Sequence, residues 1–508
     1  MTPPLNILLI TADQWRGAAT GYAGHPLVKT PSLDALAAEG VAFLNHFAST
    51  APCSPARASL YTGLYQMNHR VCRNGSPLDD RFDNIARAAR RAGYDPTLFG
   101  YTDQSPDPRT LPPGDPALTS YEGILPGFTV RVKLPEDEQI WLSWLKAQGL
   151  VLDPRRRHWP VGAPPEPVSP AAPGYAADQT QTAFLTDEFI RWLGEQPGTS
   201  PWFAHLSFLR PHPPFIVPAP YNTLHAPETV DGFWRAPTPD AEAAVHPLLA
   251  YTLERAGKPS FVPGAQGLVR DFSEADFRQI KATYYGMIAE VDAQLGRTFA
   301  ALKASGAWDN TLIVFTSDHA EMLGDHWLLG KGGCYDESQH VPLIIRDPRR
   351  PAGFGIKVDA FTESVDVFPT LLDALGTSPC HHPDGRSLAP FLAGQQPAGW
   401  RDTVGWEFDF RDVATQEAER WFGLPSTRLN LAVIRDRQHK YVHFAGLPPL
   451  LFDLASDPHC LHDVGTDPAY GGVRLALAEK LLAWRAEHLD QTLALSELTG
   501  DGVVTAPG

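Results

Sequence analysis

The chain has 508 residues, 43% of them hydrophobic and 20% charged, and its formal net charge is −16. A chain of this length usually divides, so we expect two domains of unequal size. The acidic balance argues against a nucleic-acid partner, which would need a basic face on the protein. Any anionic substrate must therefore be held by a local cationic pocket and not by the field of the whole molecule.

In chain order, apolar strands alternate with helices through the first three quarters of the sequence. Strands are predicted at 5–10, 41–43, 96–99, 311–316 and 341–345. Helices are predicted at 31–39, 55–62, 84–91 and 273–305. The longest strands are continuous apolar runs, which is typical of burial on both faces. The alternation predicts an α/β domain with a mostly parallel central sheet flanked by helices, which we assign to residues 1–378.

The sequence changes texture after residue 378, where short segments predict a smaller α+β domain at 379–508 with an antiparallel sheet. Its predicted elements are strands at 404–408 and 440–444, a helix at about 473–488 and a polar tail from about 499. Within the larger domain, the proline-rich stretch at 153–174 predicts an irregular surface insertion.

The five cysteines are odd in number and scattered, which predicts neither a disulfide framework nor a zinc site. The N-terminal residues lack the charged start and small-residue cleavage site of a signal peptide. No apolar run approaches the length of a membrane span. We therefore expect a cytoplasmic protein with no membrane partner.

The segment at 53–63 predicts a nucleophile at the start of a helix. Pro55 suits a first helical turn, and Gly63 marks a local stop. Cys53 would then lie where free backbone N–H groups and the helix dipole favour an anion. Arg57 shares a helix face with Cys53 and supplies a planar cationic donor for sulfate or phosphate oxygens.

A second group of candidates comes from the ends of two predicted strands. Asp13 and Gln14 follow the first strand, and Asp318 and His319 follow the strand at 311–316. Ligands of open α/β sheets bind beyond the carboxyl ends of the strands. Two carboxylates, an amide oxygen and one imidazole suit calcium, manganese or magnesium better than zinc.

The run from Cys53 to Arg57 matches the pattern C-x-P-x-R, and the chain thereby resembles the type I sulfatases of the alkaline phosphatase superfamily. The resemblance implies that a formylglycine-generating enzyme oxidises Cys53 to formylglycine. The hydrated aldehyde would attack sulfur or phosphorus and form a covalent intermediate. It further implies one divalent ion, Ca²⁺ or Mn²⁺, held by the residue at position 53 together with Asp13, Gln14, Asp318 and His319.

Two further segments are similar to sulfatase motifs. Gly324–Lys331 ends in a lysine that, by this resemblance, holds a substrate oxyanion, and Arg210–Phe215 contains His212, which would donate to the anion or protonate the leaving oxygen. Cys53, Arg57, His212 and Lys331 are therefore our predicted catalytic residues.

Several stretches look closest to one branch, the phosphonate monoester hydrolases and their arylsulfatase relatives. In that branch the residues matching Asn74 and Tyr101 line the substrate pocket, and we place Asp103 beside them. Two departures weaken a transfer of substrate. Typical sulfatases carry a Lys-x-His pair where this chain has Tyr101-Thr102-Asp103, which weakens a narrow specificity for sulfate monoesters. The branch's phosphonate hydrolases carry a hydroxyl residue at the position of Asp103 and glycine at that of Ser54. A carboxylate at 103 would repel an anion unless it is protonated, turned away or engaged.

The residues and the resemblance together predict a metal- and formylglycine-dependent arylsulfatase that also accepts phosphonate monoesters and phosphodiesters. The alternative is a dedicated phosphonate monoester or phosphodiester hydrolase; less favoured are a phosphomutase-like enzyme, which would need two metal ions, and a non-catalytic member. The substrate is a small anionic ester. The branch resemblance predicts a homodimer or homotetramer, with the C-terminal helix and tail as interface.

Overall fold

The computed structural model describes residues 5–153, 156–160, 168–198 and 200–505. In these residues the strands are β1 Asn6–Ala12, β2 Val41–Phe47, β3 Thr50–Ala51, β4 Pro96–Gly100, β5 Thr129–Lys133, β6 Leu152–Asp153, β7 Arg156–Pro160, β8 Phe203–Phe208, β9 Thr311–Thr316, β10 Leu343–Arg346, β11 Ile356–Glu363, β12 Val404–Asp409, β13 Asn430–Arg435, β14 His439–Phe444, β15 Leu450–Asp453, β16 Ser496–Thr499 and β17 Gly502–Thr505.

The α-helices of the same residues are α1 Pro31–Ala38, α2 Cys53–Thr62, α3 Gln66–His69, α4 Ile85–Arg91, α5 Gln139–Ala147, α6 Gln181–Gly194, α7 Pro239–Ala243, α8 Pro247–Leu253, α9 Glu274–Ala304, α10 Asp336–Gln339, α11 Val367–Leu375, α12 Ala389–Leu392, α13 Glu417–Phe422 and α14 Gly471–Glu487.

The central sheet has eight strands in the order β11-β2-β10-β9-β1-β8-β4-β5. All neighbouring pairs are parallel except the two made by β10, which runs antiparallel to both β9 and β2. The predicted α/β class with a mostly parallel sheet is confirmed.

Strand β1 shows why the sheet needs helices on both sides. Leu8 and Ile10 belong to the apolar cluster on one face, and Ile7 and Leu9 to the cluster on the other. All four side chains are fully buried. A parallel strand covered on both faces is expected to read as one apolar run, as this one does.

A second sheet of five strands has the order β15-β14-β13-β12-β3. Strands β12 to β15 pair in antiparallel fashion, as predicted for the C-terminal part of the chain. The short strand β3 joins this sheet parallel to β12, directly before the helix that begins at Cys53. The C-terminal sheet therefore abuts the segment that carries the predicted nucleophile. The domain boundary at 378/379 stays a prediction.

The longest helix, α9, spans 31 residues and begins with a capping box. Ser273 Oγ accepts from the backbone N–H of Asp276, and the Asp276 carboxylate accepts from the backbone N–H of Ser273. Neither this helix nor any other in the described part of the chain combines the length and apolar character needed to cross a bilayer.

Three local expectations differ from the structure. The strand predicted at 341–345 begins at Leu343, and its antiparallel direction was not foreseen. The predicted polar tail from about 499 belongs to the hairpin of β16 and β17. The predicted insertion at 153–174 falls in part outside the described residues. Within the described part, β6 and β7 pair in antiparallel fashion.

Candidate active site

Four adjacent strands deliver the predicted site residues to one edge of the central sheet. Strands β9, β1, β8 and β4 are neighbours and mutually parallel, so their carboxyl ends meet at the same edge. Asp318 follows the end of β9, and Asp13 follows the end of β1. Arg210 follows the end of β8, and Tyr101 follows the end of β4.

Cys53 is the first residue of α2 and is 1% exposed. Its Sγ lies 3.2 Å from Nε2 of His319. The helix ends at Gly63, which adopts the left-handed conformation at the C-cap. The predicted helix with its nucleophile at the N-terminus is therefore present, and the thiol faces the residues at the end of β9.

Asp13, Cys53, Asp318 and His319 form a buried cluster whose possible metal-ligand atoms all lie within 4.8 Å of one another. His319 Nδ1 lies 3.1 Å from the carbonyl oxygen of Ala320, an arrangement in which Nδ1–H donates and Nε2 keeps its lone pair for the cluster. Burial, together with nearby Lys331, lowers the pKa of His319 to about 3, so the imidazole is neutral. A neutral imidazole is the form that binds a metal ion.

The two carboxylates of the cluster have opposite pKa shifts. Burial and the repulsion from Asp13 raise the pKa of Asp318 to about 7. Burial also opposes the ionisation of Asp13, but His212 and Arg57 outweigh it and hold the pKa of this carboxyl below its usual range. A divalent cation between the carboxylates would relieve their repulsion. Because Oδ1 of Asp13 is buried without a hydrogen-bond partner among the described residues, the donor set fits a metal ion.

Arg57 is completely buried and joins the two carboxylates. Its Nε donates to Asp318 Oδ2 at 3.1 Å, and one terminal nitrogen donates to Asp13 Oδ2 at 3.1 Å. The other terminal nitrogen donates to Ser207 and Tyr61. With its donors directed at these neighbours, the guanidinium neutralises and orients the cluster.

Tyr101 packs beneath this arginine. The guanidinium carbon of Arg57 lies 4.2 Å from the centre of the Tyr101 ring, and the Tyr101 hydroxyl accepts from Arg57 at 2.8 Å while donating to Asp13. Since the side chain is 1% exposed, its visible contacts are with the cluster. Lining of the substrate pocket by Tyr101 stays a prediction.

Gln14, a predicted metal ligand, is held by Glu321, which sequence reasoning missed. The Gln14 side-chain amide donates to Glu321, whose other carboxylate oxygen accepts from the backbone N–H groups of Leu323 and Gly330. A carboxylate that is ionised can only accept, so the NH₂ group of Gln14 faces Glu321 and its oxygen is free for the cluster. That oxygen, Oε1, is buried and has no partner among the described residues.

Lys331 and His212 form the cationic side of the site. Lys331 Nζ lies 3.4 Å from His212 Nε2, and His212 Nδ1 lies 2.7 Å from the carbonyl oxygen of Pro213. Burial opposes the charge of Lys331, but Cys53 and Asp13 raise its pKa above the usual range. Burial and Lys331 lower the pKa of His212. The proton shared by this pair therefore resides on the lysine.

Asn74, Ser54 and Asp103 form a hydrogen-bonded group next to the nucleophile. Asn74 Oδ1 accepts from the backbone N–H of Ser54 at 3.0 Å, and Ser54 Oγ donates to Asp103 Oδ2 at 3.0 Å. Asp103 has φ +54 and is 1% exposed, and its Oδ1 has no partner among the described residues. Burial is the largest cause that raises the pKa of Asp103 to about 8, so this carboxyl is neutral at pH 7.

The predicted residues thus come from separate stretches of sequence and meet around Cys53. The functional roles given to them remain predictions, as do the identities of the metal ion and of the modified residue. Sequence reasoning missed Glu321, and it also missed Tyr61 and Ser207, which hold Arg57 in place. Glu321 follows Asp318 by three residues, and that spacing was the one available signal.

Comparison with known proteins agrees with this geometry. A structure of the phosphonate monoester hydrolase of Agrobacterium radiobacter is 62% identical, with a TM-score of 0.97 over 99% of this chain and 100% of that one. The phosphonate monoester hydrolase from Silicibacter pomeroyi is 38% identical, with a TM-score of 0.92 over 99% of each chain. The multifunctional alkaline phosphatase superfamily protein PehA of Trinickia caryophylli is 42% identical over 98% of this chain and 99% of its own.

Fold and site together define a hydrolase of the alkaline phosphatase superfamily. The model of the sulfatase family matches residues 5–377, and a model for the C-terminal part of N-sulphoglucosamine sulphohydrolase matches residues 324–487. The chain belongs to the sulfatase family.

Proposed function

We propose that this protein hydrolyses small esters that carry a single negative charge, with phosphonate monoesters as its preferred substrates. One observation carries the proposal: a buried cluster of Asp13, Cys53, Asp318 and His319 lies between two cationic groups, Arg57 and Lys331. Such a site combines a position for a nucleophile, a place for a divalent ion and positive charge for an anionic group.

The relatives support phosphonate as the first choice. Sequence reasoning ranked sulfate monoesters first because Asp103 and Ser54 depart from the phosphonate hydrolases. The 62% identity to the Agrobacterium radiobacter enzyme over nearly the full chain supports the opposite order. Because Asp103 is neutral at pH 7, it does not repel an anionic substrate, which removes our main objection to the phosphonate assignment.

In the proposed reaction, Lys331 binds a non-bridging oxygen of the ester, while Arg57 orients Asp13 and Asp318 and favours their ionised forms. The leaving oxygen is placed beside the Lys331–His212 pair, whose nitrogen atoms lie 3.4 Å apart. The proton for the leaving oxygen comes from the Lys331–His212 pair.

We propose that Asp13, Gln14, Asp318 and His319, with the modified residue at position 53, hold one Ca²⁺ or Mn²⁺ ion. The ion would lower the pKa of a bound hydroxyl and neutralise a substrate oxygen, and formylglycine would supply that hydroxyl as nucleophile. Cys53 suits the modification because, left as a thiol, its burial and the nearby Asp13 raise its pKa well above the usual value. It would then be a poor thiolate nucleophile.

Sulfate monoesters are the second candidate. The match of a sulfatase model to residues 5–377 favours them. Sulfate and phosphonate monoesters carry the same single charge, so one pocket can bind either. Phosphodiesters share this charge and are expected as further substrates.

The test compares kcat/KM for an aryl sulfate and a phenylphosphonate ester of the same phenol, so that the leaving groups are identical. We expect a preference for the phosphonate ester. A preference for the sulfate would make the protein an arylsulfatase, and turnover of neither ester would reject the proposal. Mass spectrometry of the peptide containing position 53 tests the modification, since active enzyme with unmodified Cys53 would contradict it. Two metal ions per chain would favour the phosphomutase-like alternative.

The proposal includes two protein partners. A formylglycine-generating enzyme is needed to modify position 53. A second copy of the chain is expected through the C-terminal segment, where exposed apolar side chains occur on α14 and on the β16–β17 hairpin, among them Leu482, Leu498 and Val503. A cytoplasmic location and the absence of nucleic-acid and membrane partners also remain part of the proposal.

A further inference from the structure

A partly open, apolar cavity of about 140 Å³ lies against the C-terminal sheet. It is bounded by helix α8, by the segment 328–335 and by the C-terminal sheet. Its apolar walls include Leu248, Leu249, Leu328, Phe410, Phe444 and Leu450. Each of these side chains is at most 9% exposed, so the inner walls of the cavity are core residues.

The size and chemistry of the cavity suit one aromatic ring. An apolar cavity of about 150 Å³ stays dry and binds benzene. The hydroxyl of Tyr335, which also borders the cavity, is buried and has no hydrogen-bond partner among the described residues. The polar atoms of His246 and Thr252, two other lining residues, are paired with the backbone.

The cavity adjoins the candidate active site at Lys331, which lines the cavity and also lies 3.4 Å from His212 Nε2 through its Nζ. The residues after it, Gly332 and Gly333, also line the cavity and place no side chain between it and the lysine. On the far wall, Phe408 pairs in register with Ala51, two residues before Cys53. A Cβ at Gly333 would lie only 3.0 Å from the Phe408 ring, so glycine lets this segment pack against the wall.

We propose that this cavity is a subsite for an apolar, ring-sized group on the alcohol portion of the ester. The alcohol is chosen over the group on phosphorus because the cavity adjoins Lys331, and the Lys331–His212 pair is where we place the leaving oxygen. The inference rests on the proposed function and adds the place where the aryl or arylalkyl group of the alcohol would bind.

The experiment compares kcat/KM for the benzyl and ethyl esters of methylphosphonic acid, whose alcohols have comparable acidity. We expect the wild-type enzyme to prefer the benzyl ester by roughly 10-fold or more, the scale on which apolar pockets discriminate. Leu249→Phe, which fills the cavity, should reduce this preference to below about 3-fold by slowing the benzyl ester alone. Leu224→Phe makes the same change on an exposed leucine and should leave the ratio as in wild type.

A benzyl preference that survives Leu249→Phe in folded protein, or an equal loss on both esters, would overturn the subsite. If Leu249→Phe does not fold by circular dichroism, Thr252→Phe fills the cavity from its half-buried rim and decides the question in the same way. Turnover of neither ester would reject the proposed function, and direct binding of benzyl alcohol by NMR would still test the subsite. Binding lost in the filled variant supports the subsite, and equal binding rejects it.

Discussion

The carboxylate of Glu321 accepts a hydrogen bond from the side-chain amide of Gln14 and, through its other oxygen, from the backbone N–H of Gly330 at 2.6 Å. One buried residue thus fixes a predicted metal ligand and the start of the segment that carries Lys331. The contact also selects which end of the Gln14 amide faces the cluster. Glu321 is therefore a positioning residue that holds two functional groups in a common frame.

Glu321→Gln should weaken metal binding by about 10- to 100-fold, the usual cost of losing a group that orients a ligand. A glutamine at 321 can present either NH₂ or oxygen to Gln14 and no longer selects the orientation of its amide. Titration calorimetry with Mn²⁺ measures the effect without relying on turnover. Glu290→Gln changes another fully buried glutamate, one that accepts from Thr180, and should leave the affinity unchanged. An unaltered Mn²⁺ affinity in Glu321→Gln would refute the positioning role.

Arg57→Ala should lower the free energy of unfolding by about 3–5 kcal/mol, the range for breaking a buried ion pair. The substitution leaves Asp13 and Asp318 facing each other in the core without the guanidinium that is paired with both. Urea denaturation measures the change. Arg437→Ala removes an exposed ion pair with Asp359 and should cost less than about 1 kcal/mol. Equal effects of the two substitutions would show that Arg57 is not the electrostatic centre of the cluster.

The site residues at the strand ends could be predicted because both the burial and the order of the strands can be inferred from local sequence patterns. Asp13 and Asp318 follow apolar runs, and parallel strands bring their carboxyl ends to one edge. The sequence contains no comparable signal for the direction of β10. The chain between β9 and β10 stays at the carboxyl edge, where it forms the segment with Glu321 and Lys331, so the next strand has to run back. An apolar run reports burial and is silent about direction.

The supporting residues of the site were beyond sequence reasoning for a related reason. Ser207 and Tyr61 act on Arg57 through packing between a strand and a helix that are far apart in the chain.

The C-terminal hairpin, by contrast, could have been predicted from the sequence. Gly500 and Gly502 flank the turn between two short β-prone runs, a pattern typical of a hairpin, and the polar composition obscured it.

The value of kcat/KM for an anionic ester should fall as the pH rises through about 8. Burial raises the pKa of Asp103 to about 8, so the carboxyl is neutral below that pH and becomes a negative charge above it. A charged Asp103 would repel the substrate, and a single ionisation gives a fall of up to about 10-fold per pH unit. Asp103→Asn, which cannot ionise, should flatten this limb. The same fall in Asp103→Asn would assign the ionisation to another group.

The C-terminal hairpin is expected to mediate self-association. Leu493 and Leu498 are 80% and 83% exposed, and Val503 and Val504 are more than half exposed, which is unusual for neighbouring apolar residues on a monomer surface. A chain ending at Asp490 should therefore have a smaller mass by light scattering than the full chain, with unchanged circular dichroism in the catalytic part.

Point variants test whether self-association depends on the apolar surface itself and not only on the presence of the segment. Val503→Glu combined with Val504→Glu should reduce the assembly as truncation does, because charge replaces apolar contact area on one strand. Glu497→Lys, a change of an exposed charged residue on the neighbouring strand, should leave the mass unaltered. If the truncated and double-glutamate chains keep the mass of the full chain, the hairpin is not the interface, and self-association would have to use another surface.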